Sequence, residues 1–227
     1  MNQPLRTSTL PNSASVAIDE DARRVLRNTW KLLAMTLAFS AVMAFVSMSM
    51  NWPPLNPIIT LAGFFGLLIA TNMLQNSAWG LLAVFALTGF MGVTVGPIIN
   101  LYLSALGNGD QIVIAAFGMT SIAFLGASGF ALVTKKDFSF MAPFLFVGIL
   151  VAFVAGLANL IFQIPALGLA VSSMFALLST GLILFQTQQI IRGGERNYIS
   201  ATVTLFVSIY NIFMSLLHIF GFAFGEE

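Results

Sequence analysis

The 227-residue chain is 58% hydrophobic and only 7% charged, with nine Lys and Arg against eight Asp and Glu. Soluble domains carry about 25% charged residues, so a soluble enzyme or a nucleic-acid binder is excluded and an integral membrane protein is implied. The absence of cysteine removes disulfides, thiol catalysis and Cys-based metal sites.

Residues 1–30 are polar, with Pro4, Pro11, several Ser and Thr, and no sustained apolar period. They read as a flexible tail that becomes helical near residues 21–31, where it approaches the membrane. An apolar core followed by a small-residue cleavage site, the mark of a signal peptide, is missing from this stretch. Residues 31–227 read as one all-α membrane domain, a bundle of seven transmembrane helices.

A spanning helix needs about 20 apolar residues at ~1.5 Å each. The uncharged stretches predict spans over 32–50, 58–74, 79–99, 112–133, 138–160, 167–190 and 198–222. The first ends at Asn51-Trp-Pro-Pro-Leu-Asn-Pro57, where stacked prolines remove donors and Trp52 can anchor at the interface. Gln75-Asn-Ser77 makes a short polar turn after the second. Gly96-Pro97 is expected to kink or stop the third, leaving residues 100–110 as a loop. Thr134-Lys-Lys-Asp137 follows the fourth, residues 159–165 break the fifth from the sixth, and Gly193-Gly194 lies between Arg192 and Arg196. That Gly pair lacks the Lys-Ser/Thr of a phosphate loop.

Charge placement sets the expected orientation. With seven spans and a cytoplasmic N-terminus, the four cytoplasmic segments hold five, zero, two and two basic residues, which is all nine. The outer segments hold Asp110, Glu226 and Glu227 alone. This agrees fully with the positive-inside rule and places the C-terminus in the periplasm.

No Asp, Glu, Lys or Arg falls inside a predicted span. Intramembrane charge usually marks relays and ion pathways, so a charge-driven pump is disfavoured, whereas a passive leak lined by uncharged polar groups is not. Span seven carries such groups: Asn197, Ser200, Thr204, Ser208, Asn211, Ser215 and His218 recur at steps of three and four, on one helix face. The pattern fits a polar path or hydrogen-bonding glue between helices. His218, the single histidine, fits a pH sensor or an interfacial residue with a backbone partner. It has no companion for a metal site, and no cofactor motif is present. Gly89, Gly92 and Gly96 give span three a small-residue face; Gly63, Gly66, Gly148 and Gly156 add expected points of close helix approach.

Several stretches, taken in order, carry a family resemblance. Val25-Leu-Arg-Asn-Thr-Trp30, Thr88-Gly-Phe-Met-Gly92 before Gly96-Pro97, and Lys136-Asp-Phe-Ser139 are three of them. Gly193-Gly-Glu-Arg-Asn-Tyr-Ile199, continuing through Leu205-Phe-Val-Ser-Ile-Tyr-Asn-Ile-Phe213, is the fourth. Together they resemble the Bax-inhibitor (transmembrane BAX inhibitor motif) family over about residues 25–222. The resemblance implies a seven-helix bundle in the bacterial inner membrane. It also implies a partner, because bacterial members modulate the membrane-embedded AAA protease FtsH, which works with its HflK–HflC regulators, and are themselves slow substrates. The expected handle for the protease is the tail, beginning with Met1, Asn2, Gln3, Pro4, Leu5 and Arg6.

Calcium-leak members of the family pair an aspartate late in span six with one in span seven. The matching positions here are Gln186 and Ser208, neither of which ionises. The candidate polar path is therefore Gln186, Thr204, Ser208, Asn211, Ser215 and His218, without the carboxylate switch. A non-enzymatic modulator of the protease is the first expectation and a cation leak the alternative.

Overall fold

The computed structural model describes residues 20–134 and 136–225. The expected protease handle, Met1 to Arg6, lies outside the described residues, as do the rest of residues 1–19, Lys135, Glu226 and Glu227.

Seven helices follow in chain order: α1 (Glu20–Ser49), α2 (Pro57–Leu74), α3 (Trp79–Ala105), α4 (Gly109–Val133), α5 (Met141–Phe162), α6 (Pro165–Ile191) and α7 (Tyr198–Phe224). All seven are long and apolar enough to cross a membrane, and the described residues contain no strand. The chain is an all-α polytopic membrane protein. Local chemistry fixes several starts. Asn56 accepts from Ile58 N–H at 2.9 Å ahead of Pro57, and Pro165 opens α6 where its missing N–H costs nothing. Asn197 caps α7 by accepting from the N–H groups of Ile199 and Ser200.

One boundary differs from the expectation, and another agrees with it. Gly96-Pro97 does not stop α3, which runs on to Ala105, so the expected loop over 100–110 shrinks to residues 106–108. In lipid a broken helix leaves backbone groups with no water to bond, and this cost exceeds that of one proline within the helix. At the other boundary, α1 begins at Glu20, well before its apolar span, with Glu20 and Asp21 in the first turn, where the helix dipole favours negative charge.

Successive helices run up and down, and side chains tie the loops at both ends. At the end holding the start of α1, the Asn197 side-chain amide donates to Gln75 O at 3.1 Å and to Asn76 Oδ1 at 2.8 Å. At the far end Asn100 donates to Asn51 Oδ1 at 3.0 Å and Asn108 to Phe224 O at 2.6 Å. Every described basic residue falls at the tail end, while Asp110 is the only described charge at the far end.

Helix α3 lies deepest, packed on α1, α2 and α4, with α7 alongside. The core joins Leu32 and Leu33 of α1, Val84, Leu87 and Met91 of α3, Ile183 of α6, and Leu205, Phe206 and Ile212 of α7. Gly92 and Gly96 let α3 meet the backbone of α1, since a Cβ at either position would run into the carbonyl of Ser40 or Ala44. Gly63 and Gly148 likewise lie against Phe90 and Leu178, and Gly156 makes ordinary contact with Val171, whereas Gly66 faces open space and is no contact point.

Candidate functional site

The polar face of α7 is half-buried to buried along its whole length: Ser208 and Ser215 are buried, while Asn197, Ser200, Thr204, Asn211 and His218 are half-buried. A helix this central turns more than one face inward, and Ala201, Thr202, Val203 and Leu205 are buried too. Two hydroxyls of the face are spent within α7, Thr204 Oγ1 donating to Ser200 O at 3.1 Å and Ser208 Oγ to Thr204 O at 2.8 Å. Ser200 Oγ donates to the Glu195 carboxylate at 2.9 Å.

His218 crosses to α6, where its Nδ1 lies 2.7 Å from Ser172 Oγ. Its partner is thus a side chain, not the backbone. Gly168 makes room for this joint: a Cβ there would sit 3.1 Å from both His218 Cε1 and Asn159 Nδ2. No group of three or more His, Cys, Asp or Glu among the described residues could hold a metal ion.

Gln186 is buried in α6, and its Nε2 has no protein partner. Thr29 Oγ1, Ser128 Oγ and Thr187 Oγ1 share that condition. All four residues lie near one level of the bundle. Ser128, Gln186 and Thr187 stand four to five residues inside the tail-side ends of α4 and α6, and Thr202 Oγ1, four residues into α7, bonds Thr29 O at 3.3 Å. Buried polar atoms are bonded in the large majority of cases, so this layer is the polar anomaly of the bundle. Gln186 was anticipated in sequence; Thr29, Ser128 and Thr187 were not.

Below that layer, at the tail end, α6 holds the α4–α5 loop. The buried Gln188 accepts from Phe138 N–H through Oε1 at 2.7 Å, and its Nε2 donates to Lys136 O. Arg192 donates to the same carbonyl at 2.9 Å and pairs with Asp137 at 3.1 Å. Asp137 Oδ1 accepts from Ser139 N–H at 2.8 Å. Hydrogen bonds from the Ser139 side chain and backbone, with a smaller contribution from Arg192, hold the Asp137 carboxyl below its ordinary range. The run Gln186-Thr-Gln-Gln189 at the end of an apolar span was the signal for this clamp.

The sequence matches a family model and several known proteins. A family model described as an inhibitor of apoptosis-promoting Bax1 matches residues 22–225. An uncharacterised protein of Pseudomonas aeruginosa is 52% identical over 95% of this chain and 96% of its own length. A protein of Escherichia coli K12 named modulator of FtsH protease YccA is 50% identical over 88% of this chain and 90% of its own. An uncharacterised membrane protein of Vibrio cholerae is 40% identical over 97% of each chain.

Proposed function

Because the chain belongs to the Bax-inhibitor family of membrane proteins, we propose that it is a non-enzymatic modulator and slow substrate of the FtsH protease in the bacterial inner membrane. The observation that carries this reading is the 50% identity, over most of both chains, with the Escherichia coli modulator of that protease. The placement of every described basic residue at the tail end supports a cytoplasmic N-terminus by the positive-inside rule. On that side the tail is available to a cytoplasmic AAA motor.

In the proposed mechanism the protease takes hold of residues 1–19 and pulls against the bundle. Extraction exposes apolar side chains to water at about 1.5–3 kcal/mol each, and the close α1–α3 contact resists separation of the first helix. The motor is thereby occupied and other membrane substrates wait.

Two measurements test this. Affinity purification of the full chain from native membranes should recover FtsH, and recovery of none overturns the partnership. Removing residues 2–19 leaves α1 whole and should lengthen the protein's lifetime in cells with active FtsH; an unchanged lifetime overturns the tail mechanism.

A second reading, a passive cation leak along α7, draws on the unpartnered polar layer around Gln186. It predicts ion flux in proteoliposomes that weakens when Ser208 and Asn211 become Leu. Flux at background level from acid to neutral pH counts against it.

A further inference from the structure

Helix α1 changes character along a single face. Arg23, Arg27, Trp30 and Lys31 line a shallow depression at the tail end, all exposed. Steps of three and four carry the same face through Ala34, Ala38 and Ala41 to Phe45. There it becomes one wall of a crevice of about 660 Å³, within the ~300–1,000 Å³ of small-molecule sites. Phe117 and Phe124 of α4 line the opposite wall, with Phe206 and Tyr210 of α7 between the two. The alanines of α1 make the space: Ala38, Ala41 and Ala44 all border it.

The crevice offers little to a polar ligand. Thr120 and Ser121 spend their hydroxyls on Ala116 O and Phe117 O at 2.7 and 2.9 Å. The Tyr210 hydroxyl lies 3.3 Å from Thr94 Oγ1. Nearer the tail end, in contrast, the same face of α1 is cationic. Among the described residues the one ion pair is Arg192–Asp137, so Arg23, Arg27 and Lys31 face outward with no carboxylate on them. At ~1.5 Å per residue, the crevice wall from Leu37 to Met48 starts about 9 Å below Lys31 and ends about 26 Å below it. One leaflet is about 15 Å of hydrocarbon, half of the ~30 Å core, so an acyl chain whose headgroup sits at the basic cluster reaches into the tail-side part of the crevice.

We propose that the α1–α4 crevice binds an anionic phospholipid of the cytoplasmic leaflet, its phosphate on Arg23, Arg27 and Lys31 and an acyl chain between the two helices. Juxtamembrane basic clusters attract acidic lipids, and Trp30 lies among these cations, a residue type enriched at membrane interfaces. Charge complementarity selects lipid over a second apolar helix, which would satisfy the crevice and leave the three cations unmatched. The proposal goes beyond the protease reading and needs only the cytoplasmic placement of the tail.

The test uses the full chain with Trp52→Phe and Trp79→Phe, leaving Trp30 as the single tryptophan, reconstituted in phosphatidylcholine vesicles. Acyl-brominated phosphatidylglycerol should quench Trp30 at about one tenth of the mole fraction that acyl-brominated phosphatidylcholine needs. Arg23→Gln, Arg27→Gln and Lys31→Gln together should abolish that preference, while Arg23→Lys with Arg27→Lys keeps it. Ala41→Phe, which fills the crevice and leaves the basic cluster intact, should weaken quenching by phosphatidylglycerol more than by phosphatidylcholine and so shrink the preference. Equal quenching by the two lipids in the parent protein overturns the proposal, as does a preference that survives the triple change. A preference undiminished by Ala41→Phe means that the basic face attracts headgroups without the crevice, and overturns it too.

Discussion

Helices α3 and α5 show how differently burial works in lipid and in water. Helix α5 has the highest hydropathy of the seven, yet only Leu145 and Ala152 are buried in it. Helix α3 is less hydrophobic and lies at the centre, where Gly80, Thr88, Gly89, Gly92, Thr94 and Gly96 are among its buried residues. In water the order would be reversed. In a bilayer the tails solvate Leu and Phe as well as a protein core does, so what draws a helix inward is close backbone approach and hydrogen bonding. Small and weakly polar residues therefore mark the centre, and the greasiest helix lies in the shell beside the less hydrophobic α2.

Glycine substitutions should separate the two regions most sharply. Gly92→Ala drives a Cβ into the Ser40 carbonyl, forcing α1 and α3 apart at a cost of about 3 kcal/mol. Gly118→Ala in α4 meets nothing within 4 Å and should be neutral or stabilising by up to about 1 kcal/mol, through helix propensity. Unfolding of the two variants in mild detergent checks the contrast; equal stabilities would break it.

The division into centre and shell was only partly legible in the sequence. Seven spans could be read because uncharged stretches of the right length are hard to use otherwise. The glycine face of α3 pointed to tight packing, but not to α1 as its partner, because the same spacing fits any neighbour. Pro97 misled for a physical reason: its rule as a helix stop comes from water, where freed backbone groups find other partners. The α7 face was visible from its period. That Thr204 and Ser208 spend their hydroxyls within the helix, and that His218 reaches Ser172, depends on rotamers and neighbours that no periodicity encodes. Gln188 was missed because its partners, Lys136 O and Phe138 N–H, are backbone groups distant in sequence.

Gln188 also sets how the shell is attached. Helix α5 packs mainly on α6, and Gln188 fixes the loop that leads into it. Gln188→Leu removes both hydrogen bonds and leaves the Phe138 N–H unpaired, with Arg192 still on Lys136 O, at about 1–3 kcal/mol. Hydrogen exchange at Phe138 should accelerate in this variant while the α3 amides stay protected. Protection lost equally in both places would mean that the shell is not a separable layer.

Within the centre, the joint between α6 and α7 at the far end should matter less. Ser172→Ala removes the hydroxyl that bonds His218 Nδ1, a loss of about 1 kcal/mol. The change should appear in the imidazole resonances and leave the tail-side loop untouched. A loss as large as that of Gly92→Ala would place this hydrogen bond, rather than backbone contact, at the root of the bundle's stability.

The smallest effect belongs to Asp137, at the fully exposed edge where the shell begins. Its folded carboxyl titrates below the ordinary value of 3.8, with the Ser139 side-chain hydrogen bond as the first cause, the Ser139 backbone N–H next and Arg192 last. Because the folded value is depressed, the carboxylate steadies the loop at any pH above the ordinary range. That contribution fades as pH falls through the lowered value. The order of causes is what a titration can test. Followed by the Ser139 amide resonance, or by an Asp137 carboxyl label in variants, the midpoint should rise more on Ser139→Ala than on Arg192→Gln. Solvent screens the exposed ion pair strongly, whereas the hydrogen bonds from Ser139 act at contact. A larger rise on Arg192→Gln would reverse the order and make the loop's attachment electrostatic, tying the shell to α6 by charge instead of by the amide of Gln188.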